Sequence, residues 1–125
     1  MAFSLPLNLV EHVMANYQLI TPLQLAQAAI TTSYTTIYTT PASTRTYVKG
    51  IDVCNTTGGP ISVYVSLVPS AGTAGSSNAL FYNAVIPGYT TLQWSSTQIM
   101  SAGGTLQAKA SAAGATITAS GGEAV

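Results

Sequence analysis

The stretch IDVCNTTGG, residues 51–59, holds three residues whose types could take part in chemistry. Asp52 is an acid, Cys54 is the only thiol in the chain, and Asn55 begins an Asn-Thr-Thr sequon for N-glycosylation. A reactive cysteine needs a nearby base or cation that lowers the pKa of its thiol. The only histidine, His12, lies near the N-terminus, and no motif brings it to Cys54. We therefore interpret Cys54 as a small, packed strand residue rather than as a nucleophile.

The same stretch has the pattern of a strand that runs into a turn. If Ile51 and Val53 face the interior, alternation places Asp52 and Cys54 on the opposite face. Asn, Gly and Pro each fit turn positions, so NTTGGP is predicted to join two strands. The sequon matters only in a secreted eukaryotic protein, and nothing else in the sequence supports that context.

The remaining residues offer no catalytic or metal-binding constellation. Paired carboxylates would have to come from Glu11, Asp52 and Glu123, and Glu123 belongs to a C-terminal SGGEAV segment that we expect to fray. Glu11 and His12 are a weak metal pair, because adjacent residues on a helix point apart. No nucleophile-elbow or phosphate-loop pattern is present. We therefore predict no catalytic residue, no metal site, no cofactor and no enzymatic activity.

Charge is scarce in this chain of 125 residues. Asp, Glu, Lys and Arg make up 5% of it, against about 25% in typical soluble proteins, and the net charge is zero. With only Arg45, Lys49 and Lys109 as cations, the chain lacks a basic patch for nucleic acid. No apolar run approaches the roughly 18 residues of a membrane-spanning helix. We expect neither nucleic acid nor membrane as a partner, and we expect neighbouring subunits to cover much of the uncharged surface.

Residues 1–30 carry helical or irregular signals. In NLVEHVMANY, Asn8 can cap a short helix and Glu11 completes a capping box. TPLQLAQAAI, residues 21–30, has a weaker helical pattern, with Thr21 as cap and Pro22 at the first helical position. Helices this short are unstable alone in water, so we expect the N-terminal segment to dock on its own domain or on another subunit.

After Thr31, β-branched and aromatic residues dominate, and Gly, Pro, Asn and Ser separate the runs. Strands are predicted at residues 31–40, 45–55, 61–68, 79–86, 89–94, 105–112 and 115–120. Short alternating strands without helical crossovers are typical of antiparallel sheets. We predict an all-β antiparallel sandwich of roughly eight short strands, a jelly roll or another Greek key. Residues 1–30 are predicted to form an N-terminal arm with a short helix, and residues 31–125 the sandwich domain.

Aromatic side chains are plentiful for so uncharged a chain. They are Tyr34, Tyr38, Tyr47, Tyr64, Tyr82, Tyr89 and Trp94. Where they are exposed, they could stack on sugars or form a protein interface. For Trp94 we favour burial, because tryptophan is mostly buried on average. A carbohydrate-binding module that uses exposed Tyr and Trp is therefore one functional hypothesis.

The sequence from LAQAAITTSYTTIYTTPA to GIDVCNTTGGPISVYVSLVP resembles a group of small virion proteins of tailed bacteriophages. The shared marks are a Gln-Ala pair before a Thr-rich strand, a YTTPA turn, an I-x-V-C-N strand and an alternating SVYVSLVP strand. An ALFYNAVIPGYTT hairpin follows a loop of small residues. The resemblance covers residues 25 to about 122, and these motifs are features of a β-sandwich rather than catalytic signatures.

The resemblance implies a structural protein of the virion. The first hypothesis is a capsid decoration or cement protein that contacts the major capsid protein or other virion proteins, as a homo-oligomer and by family analogy a trimer. A neck, tail or fibre-base component is the alternative. The arm, whose residues 1 to about 20 lie outside the resemblance, is the expected tether to a neighbour. Its predicted partner contacts are Leu5, Leu7, Leu9, Val10, Val13, Met14 and Tyr17.

Overall fold

The computed structural model describes residues 19–125, and this part of the chain folds into eight β-strands with one short 3-10 turn, Ser76–Asn78. The strands are β1 (Ile20–Ala29), β2 (Thr35–Thr39), β3 (Arg45–Asn55), β4 (Ile61–Val68), β5 (Ala79–Ile86), β6 (Thr91–Met100), β7 (Thr105–Ala110) and β8 (Ala115–Ala124). The predicted bounds of β3, β4 and β5 are confirmed. The pattern there is strong because alternating β-branched residues stand between Pro, Gly and Asn turn signals.

The strands form two four-stranded antiparallel sheets. The first sheet has the order β1-β8-β3-β6, and the second has the order β2-β7-β4-β5. This is the strand order of a jelly roll, in which two Greek keys wind across a pair of sheets. The prediction of an all-β antiparallel sandwich is confirmed.

Strand β1 corrects the expected second helix at residues 21–30. Its residues pair with β8 from Ile20 opposite Ala124 to Ala29 opposite Thr116, with one irregularity at Leu25. A full ladder of backbone hydrogen bonds outweighs the weak helical preference of a Thr-Pro start. Pro22 is tolerated because β1 is an edge strand, where a residue can lack an amide donor on the open side. The sandwich therefore begins before Thr31, and the helix predicted from Asn8 lies outside the described residues.

The C-terminal segment also differs from expectation. Residues 115–124 form the inner strand β8, paired with β1 on one side and with β3 on the other. Both sides of its backbone are hydrogen-bonded, so the prediction that the SGGEAV segment frays is wrong. The sequence pattern did not predict a strand beyond Ser120, because adjacent glycines are poor strand formers.

The core lies between the two sheets and is almost entirely aliphatic. Fully buried side chains come from β3, β4, β5, β7 and β8, and they include Ile51, Val63, Leu106 and Ile117. A β-bulge at Lys49 shifts the alternation of β3 by one residue, so that Thr46 and Val48 face inward before it and Ile51, Val53 and Asn55 after it. The bulge thus decides which face of β3 carries the residues around Cys54.

Candidate functional site

The two reactive residue types of β3 lie on the outer face of the first sheet. Asp52 is exposed and Cys54 is half-buried, while Ile51 and Val53 are fully buried, as alternation predicted. Cys54 is a free thiol whose backbone neighbours are Thr91 on β6 and Thr116 on β8. Neither neighbour is a base. His12, the only imidazole of the chain, lies outside the described residues.

Asn55, the sequon residue, is fully buried and uses its whole amide group inside the protein. Its Nδ2 donates to the backbone oxygens of Gly59 at 2.8 Å and Ile86 at 2.9 Å. Its Oδ1 accepts from the Thr57 amide at 2.9 Å and from the Thr57 hydroxyl at 2.7 Å. The side chain therefore ties the β3–β4 turn to the end of β5. Nδ2 has no room for a glycan in this fold, so IDVCNTTGG is a strand and its turn.

A polar cluster joins the two sheets at the other end of β3. The Tyr38 hydroxyl of β2 donates to the carboxylate of Glu123 on β8 and lies 2.7 Å from the hydroxyl of Thr46 on β3. Thr46 and Glu123 are paired neighbours in the first sheet, so both reach toward Tyr38 from one face. Burial of the phenol and its hydrogen bond to Glu123 raise the pKa of Tyr38 to about 12. Tyr38 is therefore a neutral donor at physiological pH, and the cluster acts as an inter-sheet clamp.

Groups of residues with the chemistry of a metal site are not found in the described part. Within residues 19–125, no three His, Cys, Asp or Glu side chains lie close enough together to hold a metal ion. The same range contains no helix that is long and apolar enough to cross a membrane.

A row of three tyrosines and one lysine crosses the outer face of the second sheet. It runs in strand order from Tyr34, just before β2, through Lys109 on β7 and Tyr64 on β4 to Tyr82 on β5. The Lys109 ammonium lies 4.9 Å from the Tyr34 ring centre and 4.8 Å from the Tyr64 ring centre. The Tyr64 and Tyr82 rings meet edge to face at 5.2 Å. We call these four residues the tyrosine row.

An apolar groove of about 260 Å³ lies where β4 and β6 end. Its lining includes Leu67, Val68, Pro69, Ile99, Met100 and Ala102. A second, more polar depression next to it is lined by Arg45 and Ala124 and shares Ser101 and Ala102 with the groove. Ile99 is 56% exposed at this groove. We call the two depressions together the end groove.

The predicted binding residues divide into those the structure describes and those it does not. The partner contacts Leu5, Leu7, Leu9, Val10, Val13, Met14 and Tyr17 lie outside the described residues. Trp94 is half-buried and packs against the core, opposite Ile51. Tyr82 and Tyr89 are the exposed aromatic residues of the described part. The sequence showed that tyrosines were abundant, but only strand order brings Tyr34, Tyr64 and Tyr82 into one row.

Comparisons with known proteins give one weak structural similarity and no related sequence. No protein-family model matches the chain, and no curated protein matches it. Among solved structures, it is similar to a chain in the structure of infectious bursal disease virus Gx strain, at 15% identity and a TM-score of 0.32. The match covers 86% of this chain and 28% of that chain, so this chain spans under a third of the length of the solved one. The function therefore has to be inferred from the chain's own residues.

Proposed function

We propose that this protein is a non-enzymatic structural component of a virion, most simply a decoration or cement protein of a tailed-bacteriophage head. It binds the major capsid protein or a neighbouring copy through apolar contacts and performs no chemistry. The sequence resemblance over residues 25 to about 122 supports the virion assignment. The structure adds a compact scaffold whose conspicuous polar groups, Asn55 and the Tyr38–Glu123 pair, are used to hold the fold.

The surface supports assembly that does not depend on charge. In the described part the charged residues are Arg45, Lys49, Asp52, Lys109 and Glu123, and the exposed strand positions are mostly Thr, Ser, Gln and Asn. Interfaces are depleted of charge at their centres, so a surface of this kind desolvates at low cost when a neighbour covers it.

The observation that carries the proposal is where the chain enters the sandwich. Ile20 pairs with Ala124, and Ala124 lines the end groove, so the first described residues lie at that end of the molecule. Leu19 is 75% exposed there. The preceding 18 residues span up to about 60 Å when extended, whereas a four-stranded sheet is only roughly 15 Å wide. An extended arm is therefore longer than one sheet is wide, so its length allows it to pass beyond its own sandwich.

Charge and polarity also match between the arm and the end groove. The arm contains one carboxylate, Glu11, and its predicted contact residues are apolar. Arg45 is exposed at the end groove and has no carboxylate partner among residues 19–125. We propose that the arm of one copy lies in the end groove of the next, with Leu5 to Tyr17 on the apolar lining and Glu11 near Arg45.

The test compares the full chain with a variant that starts at Leu19, which retains all eight strands. Light scattering gives the native mass, and co-sedimentation measures binding to phage heads that lack the protein. We expect the full chain to be oligomeric, as a trimer by family analogy, and the variant to lose at least tenfold in self-association and head binding. Equal mass and equal head binding for the two proteins would contradict the role of the arm.

Point variants separate the end groove from general surface effects. Ile99→Ser should weaken association, whereas Tyr89→Ser, at an exposed aromatic residue of the opposite end, should not. Glu11→Arg and Arg45→Glu should each weaken association, and the double variant should restore it if the two side chains meet. A protein that binds no head but is present in a few copies per particle would instead support the neck, tail or fibre-base alternative.

A further inference from the structure

The tyrosine row has the features of a binding surface rather than of packing alone. Tyr82 is 60% exposed although it lies against Tyr64, and Val85 on the same strand is equally exposed. Four positions in strand order span three inter-strand spacings, which is roughly 14 Å. The row is thus a strip on one side of the molecule in which Tyr82 is exposed, while Tyr34 and Tyr64 are half-buried and flank the Lys109 ammonium.

A bulge in β5 builds one end of the row. Val63 pairs with Ala84 and Val65 pairs with Phe81, so that Tyr82 and Asn83 both stand opposite Tyr64. Asn83 has a φ of 54°, in the left-handed region that most side chains avoid. Bulges of this kind re-aim side chains at the edge of a sheet. Here the bulge turns Tyr82 and Asn83 together toward the ring of Tyr64.

Asn83, next to the row, carries hydrogen-bonding capacity that the fold does not use. The Tyr64 hydroxyl donates to Asn83 Oδ1 at 3.2 Å. Within residues 19–125, the Asn83 side-chain NH₂ has no protein acceptor. A ligand that lies across Tyr64 and Tyr82 therefore meets ring surface and two amide N–H donors at the same place.

Lys109 gives the row an uncompensated positive charge. Its ammonium stands between two tyrosine rings and forms no ion pair in the described part of the chain. The carboxylates of that part, Asp52 on β3 and Glu123 on β8, belong to the other sheet. The tyrosine rings stabilise the Lys109 ammonium by cation–π attraction. A carboxylate from a ligand would add a charge-assisted hydrogen bond.

We propose that the tyrosine row binds an acidic oligosaccharide, that is, a sugar chain with carboxylate groups. The apolar C–H faces of the sugar rings pack on Tyr82, Tyr64 and Tyr34, because tyrosine faces are negative and sugar C–H groups are weakly positive. Asn83 donates to sugar hydroxyls, and Lys109 binds the carboxylate. The row crosses the strands on one face of the second sheet, where β7 and β4 are paired with a strand on each side, so a chain of sugar rings fits it better than an extended peptide, which needs free backbone partners.

This activity goes beyond the proposed structural role, since the tyrosine row and the end groove are lined by different residues. A protein that covers a particle could thereby also hold the particle at a polysaccharide-coated surface. Failure of either activity leaves the other intact, because head binding and sugar binding are measured separately.

The test is a glycan array that includes uronic-acid and sialic-acid oligosaccharides, probed with the full chain, followed by titration calorimetry with the best ligand. We expect Tyr82→Ala to weaken binding at least tenfold and Tyr89→Ala, at a more exposed tyrosine outside the row, to leave it unchanged. Lys109→Met keeps the aliphatic stem and should remove the preference for an acidic sugar over the same sugar with its carboxylates amidated. Unfolding curves establish that each variant is folded.

Three results would overturn the proposal. The first is an array on which no acidic oligosaccharide binds above background. The second is an equal loss for Tyr82→Ala and Tyr89→Ala. The third is equal affinity for a polyglutamate peptide and the acidic sugar, which would show attraction to charge without recognition of the sugar rings.

Discussion

Two neighbouring residues of β3 differ in burial, because they face opposite sides of the sheet and have different surroundings. Cys54 and Asn55 are adjacent, yet the thiol is half-buried on the outer face and the amide is fully buried. Asn55 is tolerated inside because backbone oxygens and Thr57 occupy both ends of its amide group. A buried amide without such partners would destabilise the fold by about 1 to 3 kcal/mol. The residue type of Asn55 alone therefore did not distinguish a glycosylation site from a buried side chain whose hydrogen bonds hold the fold together.

Tyr38 makes the stability of the protein sensitive to alkaline pH. Its pKa is about 12 in the folded protein and 10.0 without the protein environment. Between these values the unfolded chain loses the phenolic proton first, so the contribution of Tyr38 is fully present below pH 10 and is lost as pH rises toward 12. Urea unfolding at pH 7, 10 and 11.5 should show a shallower alkaline loss for Tyr38→Phe than for the original protein.

The same variant should also be less stable at pH 7. Tyr38→Phe leaves Glu123 and Thr46 without the phenol, which we expect to lower the free energy of unfolding by about 1 to 2 kcal/mol. Tyr89→Phe, at an exposed position, is the matched control and should change neither quantity. Parallel alkaline slopes for all three proteins would show that Tyr38 does not link folding to pH.

At the scale of elements, β-bulges in the strand ladders set the orientation of the side chains in the core and in the tyrosine row. The bulge at Lys49 changes which residues of β3 face the core, and the bulge in β5 brings Tyr82 and Asn83 to Tyr64. The regular parts of β3, β4 and β5 were predictable from period-two alternation. The bulges were not, because an extra residue in one strand is defined only by the register of its partner.

Gly121 is required where β8 passes the bulge of β3. Val48 pairs with Gly121 and Gly50 pairs with Ser120, so the backbones approach closely around Lys49. A Cβ on Gly121 would clash with the Tyr47 carbonyl oxygen, which belongs to the backbone and cannot rotate away. Gly121→Ala should lower the free energy of unfolding by about 3 kcal/mol, the upper end of typical overpacking costs.

The matched control is Gly59→Ala, because no atom lies within 4 Å of the Cβ position of Gly59. Its effect should be within about 0.5 kcal/mol, as for other surface substitutions. Chemical denaturation of both variants measures the difference. Similar values for the two alanine variants would mean that β8 shifts to accommodate the new methyl group.

At the scale of the whole molecule, stability comes from an aliphatic core and backbone ladders rather than from ion pairs. The fully buried side chains are mostly Ile, Val, Leu and Ala, contributed by both sheets. The cations Arg45, Lys49 and Lys109 have no carboxylate partner within residues 19–125; Lys49 donates instead to the Thr97 hydroxyl at 2.7 Å. Stability of this kind involves little electrostatic energy that ions in solution can screen.

The free energy of unfolding should therefore depend little on sodium chloride. We expect urea midpoints at pH 7 to agree closely between about 0.02 and 0.5 M salt, although the Debye length falls severalfold over this range. Self-association of the full chain should be equally insensitive, apart from a modest contribution of Glu11 and Arg45 if the arm binds as proposed. A large loss of stability or of association at high salt would show that charge pairs contribute substantially to either.

The sequence by itself determined the fold class, the positions of seven strands with the bounds of three, the alternation around Ile51 and the scarcity of charge, because these follow from local periodicity and composition. Only the tertiary structure decided that residues 20–29 form a strand, that Glu123 meets Tyr38, and that Asn55 is a buried clamp. It also assembled the tyrosine row and the end groove from separate strands. Each of these depends on which strands are neighbours and in which register, and in a jelly roll those neighbours are distant in sequence.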